Sequence, residues 1–211
     1  MNAIGGVRGL IESVLPTLLF VVLFLFTRNV VLASVASLGV VVLALVWRIA
    51  TKSQITPAIS GAIGIGLGAF IAVKSGDGSG FYLPGLITNA VYAVVLSVSI
   101  LVKHPAVGYV AALVDPRVSA WRTSREGRRT YTYATLWYAG LFALKVAVQA
   151  PLYFAGFTDA LGIAKLLMGI PAFVAVTYVV FLQHRALVKR WFSDATSVHI
   201  DATSLKESKR S

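Results

Sequence analysis

Lys145 and Gln149 stand one helical turn apart inside the stretch 139–156, AGLFALKVAVQAPLYFAG, which is otherwise apolar. Residues i and i+4 of a helix share a face, so an ammonium and an amide point the same way. A charge at the centre of a bilayer costs roughly 2.5–3.5 kcal/mol on insertion scales. That face must therefore meet protein, water or an anionic group rather than lipid. Lys165 lies in the next apolar stretch and Asn89 in an earlier one. At about 1.5 Å of rise per residue, Lys145, Gln149, Lys165 and Asn89 fall into one layer in the outer half of a membrane. Two lysines with no carboxylate at that level attract a lipid phosphate or a substrate carboxylate, unless one lysine sheds its proton. The alternative is that both lysines extend outward to the headgroups, Lys165 the more readily.

The carboxylates argue against most enzymes. Glu12 is the only one inside an apolar stretch, with Arg8 one turn before it. A cytoplasmic-side ion pair of Glu12 with Arg8 is one reading. A proton or cation site is the other, because isolation in lipid raises a carboxyl pKa. The remaining acids, Asp77, Asp115, Glu126, Asp159, Asp194, Asp201 and Glu207, are dispersed. They form no aspartate cluster to hold magnesium. His104, His184 and His199 are scattered, without H-E-x-x-H or a nucleophile elbow. No catalytic residue, metal site or cofactor is expected. Cysteine is absent, which removes thiolate chemistry and disulfides.

The elements that must position these groups are membrane spans. Of 211 residues, 57% are hydrophobic and 13% charged, against about 25% charged in soluble domains. The expected fold class is all-α, a polytopic bundle of six spans at about 10–27, 30–47, 56–73, 86–102, 132–153 and 161–182. Together they form a membrane domain over 1–192, followed by a polar tail, 193–211, expected to be disordered and cytoplasmic. Pro16 predicts a kink in the first span. Gly64 and Gly68 form a GxxxG in the third, which predicts a close-packing face. Phe81-Tyr82 before Pro84-Gly85 reads as an interfacial anchor. The apolar segment 106–114 is about half the length of a span and reads as an interfacial or re-entrant helix.

Orientation follows from the basic residues. With both termini cytoplasmic, fifteen of the nineteen lysines and arginines fall inside: Arg8, Arg48, Lys52, Lys103, five in the loop 115–129 and six after residue 182. Arg28 and Lys74 fall outside, and the reverse orientation would export the basic loop, against the positive-inside rule. Within that loop Arg117, Trp121, Arg122, Arg125, Arg128 and Arg129 are expected on anionic phospholipid headgroups. This placement accounts for the net charge of +11 without nucleic acid as a partner. The bilayer, and a second copy or another membrane protein, are the expected partners.

The strings VRGLIESVLPTLLFV, FYLPGLITNAVYAVV, RRTYTYATLWYAGLFALKVAVQAPLYFAG and LGIAKLLMGIP resemble a family of actinobacterial six-helix membrane proteins of unknown function. That family is distantly similar to the intracellular septation protein A (YciB-like) group. The resemblance covers the chain to about residue 182. It implies a multi-pass protein of the bacterial cytoplasmic membrane tied to envelope upkeep or septation, and it supplies no catalytic residues. Two functions follow. One is a non-enzymatic envelope protein that scaffolds partners or lipids. The other is a small channel or transporter, for an ion or small anionic solute, whose pathway passes Lys145, Gln149 and Lys165. A water-accessible cavity reaching Lys145 favours the second, and a closed bundle with both lysines at the headgroups favours the first.

Overall fold

Long apolar runs broken by short polar turns leave the backbone only one way to satisfy its own hydrogen bonds within each run, and that is the helix. The computed structural model describes residues 6–52 and 56–208, and side-chain surroundings over 15–52, 59 and 62–191. Among the described residues the chain is all-helical: α1 (Gly6–Thr27), α2 (Val30–Ala50), α3 (Thr56–Ser75), α4 (Leu83–Leu101), α5 (Ala106–Val114), α6 (Arg125–Phe154), α7 (Thr158–Leu167) and α8 (Ile170–Ser208). Two 3-10 turns, Gly78–Tyr82 and Pro116–Arg122, lead into α4 and follow α5. Asn29 caps α2 by accepting from the Leu32 N–H at 3.0 Å. Several helices stop at a residue with positive φ: Arg28, Lys52, Gly76, Lys103 and Gly156. Three of these are basic, which suits the negative end of a helix dipole.

Val30–Ala50, Gly78–Leu101 and Thr158–Trp191 are long and apolar enough to cross a membrane, and Leu15–Thr27 and Ala62–Ser75 are shorter apolar helices. The 30 residues of α6 are long enough, but they carry Lys145, Gln149 and a basic first turn. The sixth apolar stretch, expected as one helix over 161–182, is instead broken between α7 and α8 at Met168 and Gly169. Pro171 lacks an N–H and disfavours helical backbone in the residue before it. A Cβ on Gly169 would lie 2.7 Å from the Lys165 carbonyl oxygen, so only glycine fits the break. At the other end α8 continues as helix through Ser208, where a non-periodic tail was expected from 193. A helix once nucleated adds one hydrogen bond per residue, and no proline interrupts it there.

The chain divides into two compact units, Met1–Ala90 with Leu144–Ile170, and Val91–Ala143 with Pro171–Ser211. In the first, α1 packs on α2, α3 and α7, around Phe20, Val21, Ala33, Ala69, Ala72, Phe81, Tyr82 and Leu161. Phe81 and Tyr82 are therefore core residues, 3% and 2% exposed, and not the interfacial anchor that their sequence suggests. The cause is a close backbone approach. The turn before α4 folds onto α3 at Gly68, and the Phe81 ring stacks on Phe20 at 3.8 Å. Gly64, the other half of the GxxxG, packs on nothing. The turn after α1, the loop after α3 and the start of α7 share one end of this unit. Arg28 is ion-paired with Asp159 at 2.7 Å, and Thr158 donates to Asp77 at 3.3 Å.

The second unit is built on Val118, Trp121, Tyr131, Ala134, Leu187 and Val188. Trp121, expected at the headgroups, is 2% exposed. It lies flat on Gly108 of α5, where a Cβ would fall 2.6 Å from the indole, and edge-on to Tyr131 at 5.4 Å. The missing side chain at Gly108 opens a slot, and burial of the indole there outweighs an interfacial position. Tyr131, 1% exposed, is interior as well.

Candidate functional site

In the first unit, α6 presents Lys145 and Gln149 on one face, and both are buried, at 8% and 4% exposed. They line a cavity of about 380 Å³ together with Thr17, Gly64, Ile65, Phe81, Pro84, Gly85, Thr88, Asn89, Lys165, Met168 and Gly169. That volume lies within the range of small-ligand pockets, roughly 300–1,000 Å³. Each element contributes for a local reason. The first two turns of α4 bring Pro84, Gly85, Thr88 and Asn89, and a helix N-terminus carries partial positive charge. The break after α7 places Met168 and Gly169 on the wall. The missing side chain at Gly64 leaves room on the α3 side.

Lys165 does not reach outward as a free surface lysine. Its ammonium lies over the rings of Tyr82 and Phe81, 5.0 and 5.4 Å from the centroids, where the ring faces attract a cation. It also sits 3.4 Å from where a Gly85 Cβ would be, so glycine at that position admits it. Lys165 occupies the last turn of α7, and the carbonyl end of the helix favours its charge.

Gln149 offers its amide to the cavity. It is almost wholly buried, and among the described residues its amide makes no hydrogen bond. Its amide opens onto the cavity, whereas the described side-chain atoms that are fully buried without a partner, Ser34 Oγ and Gln183 Oε1, lie elsewhere. No carboxylate among the described residues lines the space. The lining therefore combines two ammoniums, two side-chain amides and two hydroxyls with the apolar surfaces of Ile65, Phe81, Pro84 and Met168. Such a site suits an anion, through charge-assisted hydrogen bonds.

The structure thus brings Asn89, Lys145, Gln149 and Lys165 to one cavity. The side chains of Arg8 and Glu12, the proposed cytoplasmic-side pair, lie outside the described residues. The basic loop is more internally engaged than its charge suggests. Arg117 holds Asp115 through two hydrogen bonds of 2.9 and 2.8 Å. Arg122 donates to His104 Nε2 at 3.0 Å and covers the Tyr109 ring, and Arg129 covers Tyr133. Arg125 and Arg128 are exposed.

Sequence spacing gave no sign of one cluster in the second unit. The Tyr131 hydroxyl meets His184 Nδ1 at 2.9 Å, and His184 Nε2 meets Asp115 Oδ2 at 3.1 Å. Hydrogen bonding from Arg117 holds the Asp115 carboxyl well below the usual carboxylate range. With Tyr131 only 1% exposed, no substrate reaches its oxygen, and the cluster is a clasp joining the loop, α6 and α8. Its members are 53 and 69 residues apart, so no local motif marks them. The apolar wall of the cavity was equally silent, because Phe81, Pro84 and Met168 look like ordinary span residues.

No curated protein and no solved structure matches the chain. Residues 4–190 match the family model described as protein of unknown function (DUF3159). With nearly the whole described helical region inside that match, the chain belongs to the DUF3159 family of proteins of unknown function.

Proposed function

We propose that this chain is a non-enzymatic multi-pass protein of the bacterial cytoplasmic membrane that binds a small anionic solute in the cavity of its first unit and carries it, as a channel or transporter. The observation behind this reading is the cavity itself, with Lys145 and Lys165 on its wall and no carboxylate among the described lining residues. The two lysines, with the side-chain amides of Asn89 and Gln149 and the hydroxyls of Thr17 and Thr88 on the same wall, are groups that can donate to an anion. The three helices long and apolar enough to span support a membrane location. The strong asymmetry of lysines and arginines supports cytoplasmic termini. An envelope or septation scaffold would contact partners through its surface, and it gives no role to a buried Gln149 that faces a cavity.

The test is anion flux through the purified protein in liposomes, under imposed anion and pH gradients. Wild type should carry an anion. Lys145→Met should lose most of the flux, and Lys145→Arg, which keeps the charge, should retain it. Equal flux in wild type and Lys145→Met, with both proteins folded, would overturn the reading.

A further inference from the structure

We infer that α5, in the second unit, is a contact for anionic phospholipid: its outward face lies among acyl chains, and the basic residues around it take the phosphates. The spacing of side chains along the helix carries the first half. Val107, Gly108, Ala111 and Ala112 turn inward, onto Trp121 and the core around it. Tyr109, Val110, Leu113 and Val114 turn outward, and Leu113 and Val114 are 85% and 81% exposed. Both sets run i, i+1, i+4, i+5, so each is one face of the helix, and the outward one holds no charged residue. The nine residues of α5 rise about 14 Å, against roughly 30 Å of hydrocarbon core, so the helix cannot span. A short helix with such a face lies in the plane of the interface, its apolar side chains about 5–10 Å below the headgroups. The anchoring that composition assigns to Trp121 thus passes to the opposite face of the helix that buries it.

Charge selects the lipid. Arg122 lies over the Tyr109 ring at 5.6 Å and gives one N–H to His104 Nε2 at 3.0 Å. His104 Nδ1 is 2.7 Å from the Val102 carbonyl oxygen, which can only accept. The proton therefore sits on Nδ1, Nε2 accepts from Arg122, and the ring adds no charge. The other guanidinium donors remain beside the apolar face, where a phosphate oxygen accepts from them. The start of α6 packs on the same turn, at Gly127 against the Trp121 carbonyl, which brings its arginines to this end of the unit. The acids here, Asp115 and Glu126, are each ion-paired at 2.8 Å, with Arg117 and Arg190. Lys103, Arg122, Arg125, Arg128 and Arg129 are exposed and make no ion pair among the described residues. An uncompensated positive rim on an apolar face matches an anionic leaflet. Neutral lipid leaves the rim unpaired, and an acidic protein segment leaves Leu113 and Val114 against water.

The chain has no cysteine, so Leu113→Cys carries a single NBD dye at an exposed position. The labelled full chain is placed in phosphatidylcholine nanodiscs that hold a minority of phosphatidylglycerol. Quenching by chain-spin-labelled phosphatidylglycerol is compared with quenching by the same amount of spin-labelled phosphatidylcholine, and aqueous dithionite reports access from water. The dye should be shielded from dithionite and quenched by lipid, with the anionic lipid preferred at least about tenfold and less so at high salt. Arg122→Gln and Lys103→Gln should each lower that preference about fivefold, and Arg122→Lys, which keeps the charge, should leave it near wild type. Melting temperatures of the variants show that the fold persists, and Lys103 supplies the test if Arg122→Gln does not fold. Rapid bleaching by dithionite would put the face in water and overturn the inference. A dye shielded from both dithionite and lipid would mean that a second copy or another protein covers the face, which overturns it as well. Equal quenching by the two lipids, in wild type and variants alike, would overturn the assignment to anionic phospholipid.

Discussion

Gly64 and Gly68 lie four residues apart on α3, and replacing each by alanine separates two effects that a GxxxG motif confounds. Alanine at either position relieves the backbone entropy of glycine in a helix, a gain of up to about 1 kcal/mol. That gain is common to both variants, so it cancels in their difference. What remains is packing. A Cβ at Gly68 would lie 2.5 Å from the Phe81 carbonyl oxygen, 3.3 Å from its carbonyl carbon and 3.4 Å from its Cα. All three are backbone atoms and no side-chain rotation relieves them. The turn before α4 must move, and with it the Phe81 ring stacked on Phe20 and the rings beneath Lys165. Overpacking of this kind costs about 1–3 kcal/mol, whereas a Cβ at Gly64 meets nothing within 4 Å. Gly68→Ala should therefore be less stable than Gly64→Ala by about 1–3 kcal/mol. At roughly 2–4 °C per kcal/mol for a chain of this size, thermal melts of the two variants side by side in one detergent resolve the gap. Equal melting temperatures would refute the argument, because they would mean that the turn gives way freely and does not hold Phe81 in place.

Other consequences are equally open to measurement. Asp115 has a depressed carboxyl pKa because of Arg117, with smaller help from His184. Its contribution to stability is full above the ordinary carboxyl value of about 3.9 and disappears as pH falls through the lower folded-state value. Acid titration followed by Trp121 fluorescence should show a loss below about pH 4 in wild type that Asp115→Asn lacks, and identical curves would exclude the clasp. For topology, the exposed residues Phe157 and Ala120 are suitable labelling sites. Phe157→Cys should react with an impermeant reagent in whole cells, and Ala120→Cys only after lysis; the reverse pattern would invert the proposed orientation.

The helical elements were legible in the order of residues, because the apolar runs and their polar breaks are local. The ranges 30–47 and 56–73 lie within α2 and α3, and the half-length segment 106–114 is α5 to the residue. The common face of Lys145 and Gln149 was legible for the same reason, since four residues make about one helical turn. Which surface covers which face is not a local property, and there only the tertiary structure decided. Phe81, Tyr82 and Trp121 have the composition of interfacial anchors, yet bare backbone at Gly68 and Gly108 opens places for them inside the units. The two glycines of the GxxxG are alike in sequence and unlike in space, because the turn before α4 reaches only one of them. The sixth apolar stretch reads as one helix, and the break that turns Met168 and Gly169 toward the cavity depends on how α7 ends. Asp115, Tyr131 and His184 meet only when helices far apart in sequence pack together. Lys165 held over aromatic rings and Gln149 opened onto the cavity are likewise products of that packing, since a sequence states what a side chain can donate or accept and not what stands opposite it.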